Sequence, residues 1–385
     1  MQEERTSGAE DSRAIPLALR RGPRKKTFAP GRTKAMNVDL LKRLSEARGI
    51  PGQEDHVRAI VREELAGMGE MRTDAMGNLI VHKKGTGGPG ARRIMIAAHM
   101  DEIGFVVKFI DDKGFLRLHA LGGFDMRQLA SQRVHVQTRD GVLPGVLMLT
   151  SKPKHMMAPG EDAKASTLDD FFVDVGLSGE QAKEQVAIGD MVTMDRTFRT
   201  MGDLMTGKAM DDRCAVFVMI EALKALGEHA CDVYAVATVQ EEIGLRGAAA
   251  SGWSVQPDVA VALDVTLAND IPGLPEALHV TKLGLGTAIK VLDGSLICHP
   301  KVVAHFRRVA ETKGIPHQME LLTAGGTDAG AIQKLHGGIP AFTLSIPCRY
   351  IHTVNETVHK TDVQASIDLL ARWIENAHEG DYAYD

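Results

Sequence analysis

The chain has 385 residues, 44% apolar and 25% charged, with a net charge of −5. These proportions are those of globular proteins and exclude a wholly disordered, collagenous or coiled-coil chain. The acidic balance argues against nucleic acid as a partner, and no apolar run approaches the roughly 18 residues that a membrane span needs.

Residues 1–35 carry nine Lys/Arg against four acids, a net +5 that leaves −10 on residues 36–385. No apolar stretch follows Arg20 and Arg21, so the segment does not read as a secretory or twin-arginine signal. Its charge and its Pro and Gly content give no core face, and a disordered tail outside the fold is expected. Met36 begins a helix signal, with Asn37 as N-cap, Leu40, Leu41 and Leu44 on one face, and Gly49 at the end. Val57, Ile60, Val61 and Leu65 predict a second helix over 54–68. Strands are expected at 78–82 and 94–98, on either side of a Gly-rich loop. Between 103 and 198 the texture changes to short runs divided by Gly, Pro and Asp (103–110, 115–118, 133–138, 142–150, 171–175, 191–195). This predicts an all-β module, with strand edges that a partner would cover. From 203 onward helices and strands alternate: helix 211–227, strand 233–238, a short helix from Gly244, strand 259–263, helix 301–313, strand 341–346 and helix 362–378. The expected fold is therefore α/β. A mostly parallel sheet flanked by helices is built from 36–102 and 199–385, and a β-rich domain, 103–198, is inserted into it.

Metal-type residues gather at predicted strand ends. His99 and Asp101 follow strand 94–98, Glu241 and Glu242 follow strand 233–238, Asp264 follows strand 259–263, and His352 follows strand 341–346 by a short loop. Asp211 and Asp212 open a helix. Ligands of open α/β sheets bind beyond the carboxyl ends of the strands, so these clusters are expected to meet on one rim. Each has a bland reading alone: a surface turn, a solvated loop, a helix cap. Their conjunction carries the argument. Two histidines with three or more carboxylates suit zinc, cobalt or manganese better than calcium or an iron–sulfur cluster. The excess of carboxylates suggests two ions sharing one of them. Adjacent Glu241 and Glu242 cannot point the same way from an extended strand end, which suits one ligand and one proton carrier. Asp101 lies on the same side as His99 and can hold the ring nitrogen that faces away from a metal. A water shared by two metals loses its proton near neutral pH, and a neighbouring carboxylate can take that proton. Four cysteines (Cys214, Cys231, Cys298, Cys348) include no C-x-x-C pair, so reduced thiols in the cytoplasm are expected.

Six segments in order, AAHMDEIGFVV (97–107), GKAMDDRCA (207–215), VQEEIGLRGA (239–248), ALDVTLANDIPG (262–273), GGTDAGAI (325–332) and RYIHTVNETVH (349–359), resemble the glutamyl aminopeptidase and tetrahedral aminopeptidase family, the forty-second family of metallopeptidases. The resemblance spans about 36–380. It implies a metal-dependent aminopeptidase acting on short peptides through a metal-bridging hydroxide. His99 and Asp264 would hold one divalent ion, Glu242 and His352 the other, and Asp211 would bridge them. Glu241 would be the general base and Asp101 the residue that orients His99. Zinc is the first expectation for both ions, with cobalt and manganese as alternatives. The resemblance also implies that 103–198 is a dimerisation domain and that dimers assemble into a homododecamer. The basic tail and the loop Thr266–Asp270 depart from the family, and neither contains a proposed ligand.

Other readings share these residues. In the related di-metal dipeptidases and N-acyl amino acid deacylases, the extra domain enters near the end of the metal motifs. Here the long gap separates His99 from Asp211, 112 residues, against 88 between Asp264 and His352. A glycoside hydrolase could also use paired carboxylates, but it would leave both histidines idle and has only 2 Trp and 4 Tyr for stacking. An inactive scaffold of this fold would be expected to have lost a ligand or the base, and none is lost. Arg349, three residues before His352, either meets an acidic substrate side chain or supports its loop.

Overall fold

The computed structural model describes residues 36–152, 154–158 and 167–385. The expectation of a disordered tail over 1–35 falls outside them. Helix Val38–Glu46 starts as its sequence predicts. The Asn37 side chain accepts the Leu40 N–H at 3.2 Å, and Leu40, Leu41 and Leu44 are buried. Helix Asp55–Glu64 follows and buries Val57 and Val61.

The sheet has eleven strands. Its centre is four parallel strands in the order Asp232–Thr238, Arg93–His99, Val259–Leu267 and Ala341–Arg349. These are apolar and buried almost throughout, as strands covered on both faces must be. On one flank Leu79–Lys83 pairs antiparallel with Asp232–Thr238 and carries Glu70–Thr73 outside it. On the other flank Glu356–His359, Leu204–Gly207 and Arg199–Met201 extend the sheet by antiparallel pairs. Thr287–Leu292 pairs antiparallel with Ala341–Arg349 and parallel with His317–Leu321. The sheet is therefore mixed, with a parallel centre, and the expectation of a mostly parallel sheet is corrected. Three of the antiparallel pairs, Glu70–Thr73 with Leu79–Lys83, Arg199–Met201 with Leu204–Gly207 and Ala341–Arg349 with Glu356–His359, are joined by connections too short for a parallel crossover.

Helix Met210–Ala225 lies against the central strands and is buried all round. Helices Val38–Glu46 and Lys360–Asn376 cover it from outside, which explains its lack of a polar face. Arg213, fully buried on that helix, ties these layers together. Its guanidinium donates to the carbonyls of Leu44, Ala47, Gly49 and Met100.

Between Gly104 and Met194 six antiparallel strands close into a barrel around Phe105, Val107, Val134, Val136, Leu147 and Val173. The first and last strands of this stretch pair with each other, Phe105 opposite Val192. A closed barrel has no free edge, so among the described residues these six strands lack the expected exposed edges. What the barrel offers outward is side chains, including Phe109, Val146 and Met148.

Candidate active site

The parallel register sets the site. Ala97 pairs with Ala262 and His99 with Thr238, so His99 and Asp264, each two residues further on, end level on neighbouring strands. Asp264 is still inside its strand, which runs to Leu267 rather than ending before it. Glu241 and Glu242 follow the third strand of this group directly. Asp211 enters from the start of its helix, where Asp211 and Asp212 depart from helical geometry and are joined by a cis peptide bond. His352 arrives from the loop after Ala341–Arg349. Five of the eight described non-glycine residues at positive φ flank these side chains: Ala209, Gln240, Leu245, Tyr350 and His352. Such backbone persists where the surroundings over-determine it, and it concentrates at functional sites.

The expected residues converge. Asp211 divides its carboxylate between the two histidines, Oδ1 lying 3.2 Å from His99 Nε2 and Oδ2 3.4 Å from His352 Nε2. Glu242 Oε2 is 3.4 Å from the same His352 nitrogen. Donor atoms of His99, Asp211, Asp212 and Asp264 lie within 4.8 Å of one another, as do those of Asp211, Glu242 and His352. Asp211 belongs to both groups and Glu241 to neither. Glu241 Oε2 stands 3.9 Å from His99 Nε2. Asp101 meets His99 through its main-chain carbonyl, 3.1 Å from Nδ1, while its carboxylate lies 3.6 Å from that nitrogen. The carboxylate is engaged elsewhere, accepting the N–H groups of Glu241 and Glu242 at 3.1 and 3.0 Å.

The electrostatics of the cluster would favour bound cations. Burial pushes the carboxyls of Asp212, Glu241 and Asp264 well above the usual range; the charge of Asp264 assists at Asp212 and Glu241, and that of Asp211 at Asp264. Burial would raise Asp211 too, but the facing rings of His352 and His99 pull it below that range. Burial works against a charged His352, yet Asp211 and Glu242 outweigh it and push the ring up to about 11. Buried carboxylate oxygens of Asp212 (Oδ1) and Glu242 (Oε1) have no hydrogen-bond partner among the described residues. Unpaired buried acceptors beside crowded carboxylates are costly, and two divalent cations on this N/O donor set would satisfy both.

Three carboxylates went unassigned in the sequence. Glu54 accepts the N–H groups of Gly52 and Gln240. Glu356 accepts those of Asp211 and His352. Asp328 accepts from Thr238 Oγ1 at 2.5 Å, and burial raises it to about 6. Asp328 and Glu356 lie inside two of the quoted segments, which is the one signal the sequence held for them. Arg349 supports its loop, binding both oxygens of Asp270 at 2.8 and 2.7 Å.

In front of these groups opens a cleft of about 440 Å³ whose apolar lining includes Leu245, Leu267, Leu322 and Ile351. Lys290 also faces it, fully buried and paired with Glu320 at 2.5 Å. A mixed α/β sheet with two donor groups sharing one aspartate at its carboxyl rim defines the class: an α/β protein with a His and carboxylate cluster that could hold a metal.

The family follows from comparison. A family model described as M42 glutamyl aminopeptidase matches residues 77–369, and the chain belongs to that family. It is a hydrolase of the aminopeptidase class. A putative aminopeptidase of Acetivibrio thermocellus is 40% identical, over 87% of this chain and 98% of its own length. The structure resembles an aminopeptidase from the archaeon Desulfurococcus kamchatkensis, with TM-score 0.83 and 42% identity, covering 88% of this chain and 94% of that one. It also resembles the Pyrococcus horikoshii TET1 peptidase, described as able to assemble into a tetrahedron or a large octahedral shell, with TM-score 0.79 and 32% identity over 88% and 98% of the two chains.

Proposed function

We propose that this protein is a two-metal aminopeptidase that removes N-terminal residues from short peptides. The observation that carries the reading is Asp211, whose two oxygens face His99 and His352 separately. His99 and Asp264 would hold one divalent ion and Glu242 and His352 the other, with Asp211 between them; Asp212 stands near enough to join the first set. Bound there, such ions would polarise a peptide carbonyl and acidify a shared water. Glu241, outside both donor groups, would accept a proton at Oε2 and return it to the leaving amine. Asp101 would fix this geometry twice, holding the His99 ring with its carbonyl and the Glu241–Glu242 backbone with its carboxylate. The apolar cleft would receive the side chain of the residue removed.

We take residues 103–198 as the module through which chains pair, and a homododecamer of such pairs as the assembled form. No described helix is long and apolar enough to cross a membrane. All four cysteines are free and buried, in keeping with a reducing cytoplasm.

The test is a panel of chromogenic aminoacyl amides. Activity should vanish on stripping metal and return with zinc, cobalt or manganese. Full activity in the stripped protein would overturn the metal-dependent reading. Turnover of N-acyl amino acids with none of free-amine amides would replace the aminopeptidase by a deacylase.

A further inference from the structure

Glu356 is 2% exposed and opens strand Glu356–His359. Its carboxylate is shared between two distant segments. Oε2 accepts the N–H of Asp211 at 2.9 Å, and Oε1 accepts the N–H of His352 at 2.7 Å. Neither amide belongs to backbone that regular structure would hold. Asp211, at φ −77° and ψ 102°, departs from its helix two residues after Ala209, which has φ 57°. His352 itself has φ 62°. Glu356, by contrast, is fixed independently, opposite Gly207 in an antiparallel ladder. It does not line the substrate cleft. It sits behind the ligands, on the wall of a small cavity that Phe124 and Met194 close from the barrel side.

We propose that Glu356 is a positioning residue that builds the second metal position. The inference rests on the two-metal reading above. Glu356 sets two of the three residues of the group Asp211, Glu242 and His352. In the other group, of four residues, it sets Asp211 alone; His99 and Asp264 are placed by neighbouring strands, and the Asp212 carboxylate is held by the N–H of His99 at 3.2 Å. Outer partners of metal ligands fix ligand orientation, and losing one costs about 10–100-fold in affinity or activity. The asymmetry between the two positions separates this role from a general contribution to folding.

The nearly isosteric Glu356→Gln has one acceptor oxygen where two are needed, so its NH₂ must face one of the two amides. Glu356→Asp keeps both acceptors on a shorter arm. Metal-free wild type and both variants are titrated with cobalt, followed by calorimetry and by the visible absorption of the bound ion, with the Tm of each metal-free protein recorded. In Glu356→Gln the first equivalent, which depends on Glu356 through Asp211 alone, should lose less affinity than the second. The second should bind about 10–100-fold more weakly with an altered absorption band, and Glu356→Asp should recover part of the loss. Both equivalents bound with wild-type affinity and spectrum would overturn the proposal. So would equal weakening of both together with a fall in Tm, the mark of a merely structural residue. If Glu356→Gln does not fold, Glu356→Asp decides: a weakened second equivalent upholds the proposal, and an unchanged one overturns it. A wild-type protein that takes up fewer than two cobalt ions overturns the two-metal reading, and the role of Glu356 with it.

Discussion

At the scale of single residues, adjacent Glu241 and Glu242 are assigned different work, and substitution tests the assignment. Their backbone N–H groups are held by the two oxygens of one Asp101 carboxylate, while Glu241 Oε2 faces His99 and Glu242 Oε2 faces His352. Glu241→Gln should keep both metals and lower turnover by about 10²–10⁴; metal analysis beside kinetics checks it. Metal lost from Glu241→Gln and kept by Glu242→Gln would exchange the two roles. His99, Asp101, Glu241, Glu242, Asp264 and His352 were legible because each stands at or just beyond the end of an apolar run. Glu356 and Asp328 were not, because each reaches chain far away: beside its bond to nearby His352, Glu356 holds Asp211 across 145 residues. No local spacing records such a bond. Asp212 was visible only as the neighbour of Asp211, and nothing in Asp-Asp-Arg tells how the chain would turn there.

At the scale of elements, Glu54 ties the turn before helix Asp55–Glu64 to the loop that carries Glu241. It accepts the Gly52 N–H at 2.7 Å and the Gln240 N–H at 3.2 Å. Burial raises its pKa to about 7 from an ordinary 4.5, with these amides opposing and the Asp101 charge assisting. In the unfolded chain Glu54 ionises near 4.5, whereas in the folded protein it stays protonated until about 7. Rising pH across that window therefore favours unfolding. Scanning calorimetry should show wild type losing stability relative to Glu54→Gln between about pH 4.5 and 7; parallel curves for the two proteins would refute the assignment. The four central strands were readable as continuous apolar runs. Thr287–Leu292 was not, because Lys290 interrupts it. That lysine is fully buried, and the charge that offsets it, Glu320, lies directly opposite on the neighbouring strand. Leu204–Gly207 and Glu356–His359 are four residues each, too short for a period to show; they exist because they pair with each other.

At the scale of the whole molecule, the barrel is the feature the sequence conveyed least. Its short strands were visible, but closure depends on the last strand meeting the first. Closure changes how chains could associate: with no edge to extend in the barrel, the proposed pairing through 103–198 would use outward side chains such as Phe109, Val146 and Met148. Light scattering at micromolar concentration should give a mass near twelve chains. The mass of two chains would keep the pairing and remove the larger particle, and the mass of one chain would remove both. Closure also orders events during synthesis. Domains fold as units while the chain emerges. All six barrel strands lie within residues 104–194, so the ladder can close early with its first and last strands hydrogen-bonded, although Val354 joins its core only later. At that moment Arg93–His99 has been made, but neither of its sheet neighbours, Asp232–Thr238 and Val259–Leu267, exists yet. His99 and Asp101 must wait beside a finished barrel for the rest of the site, whose last member, His352, arrives 33 residues before the end of the chain. A nascent chain released early would carry a folded barrel beside an apolar strand without neighbours, a species prone to aggregate.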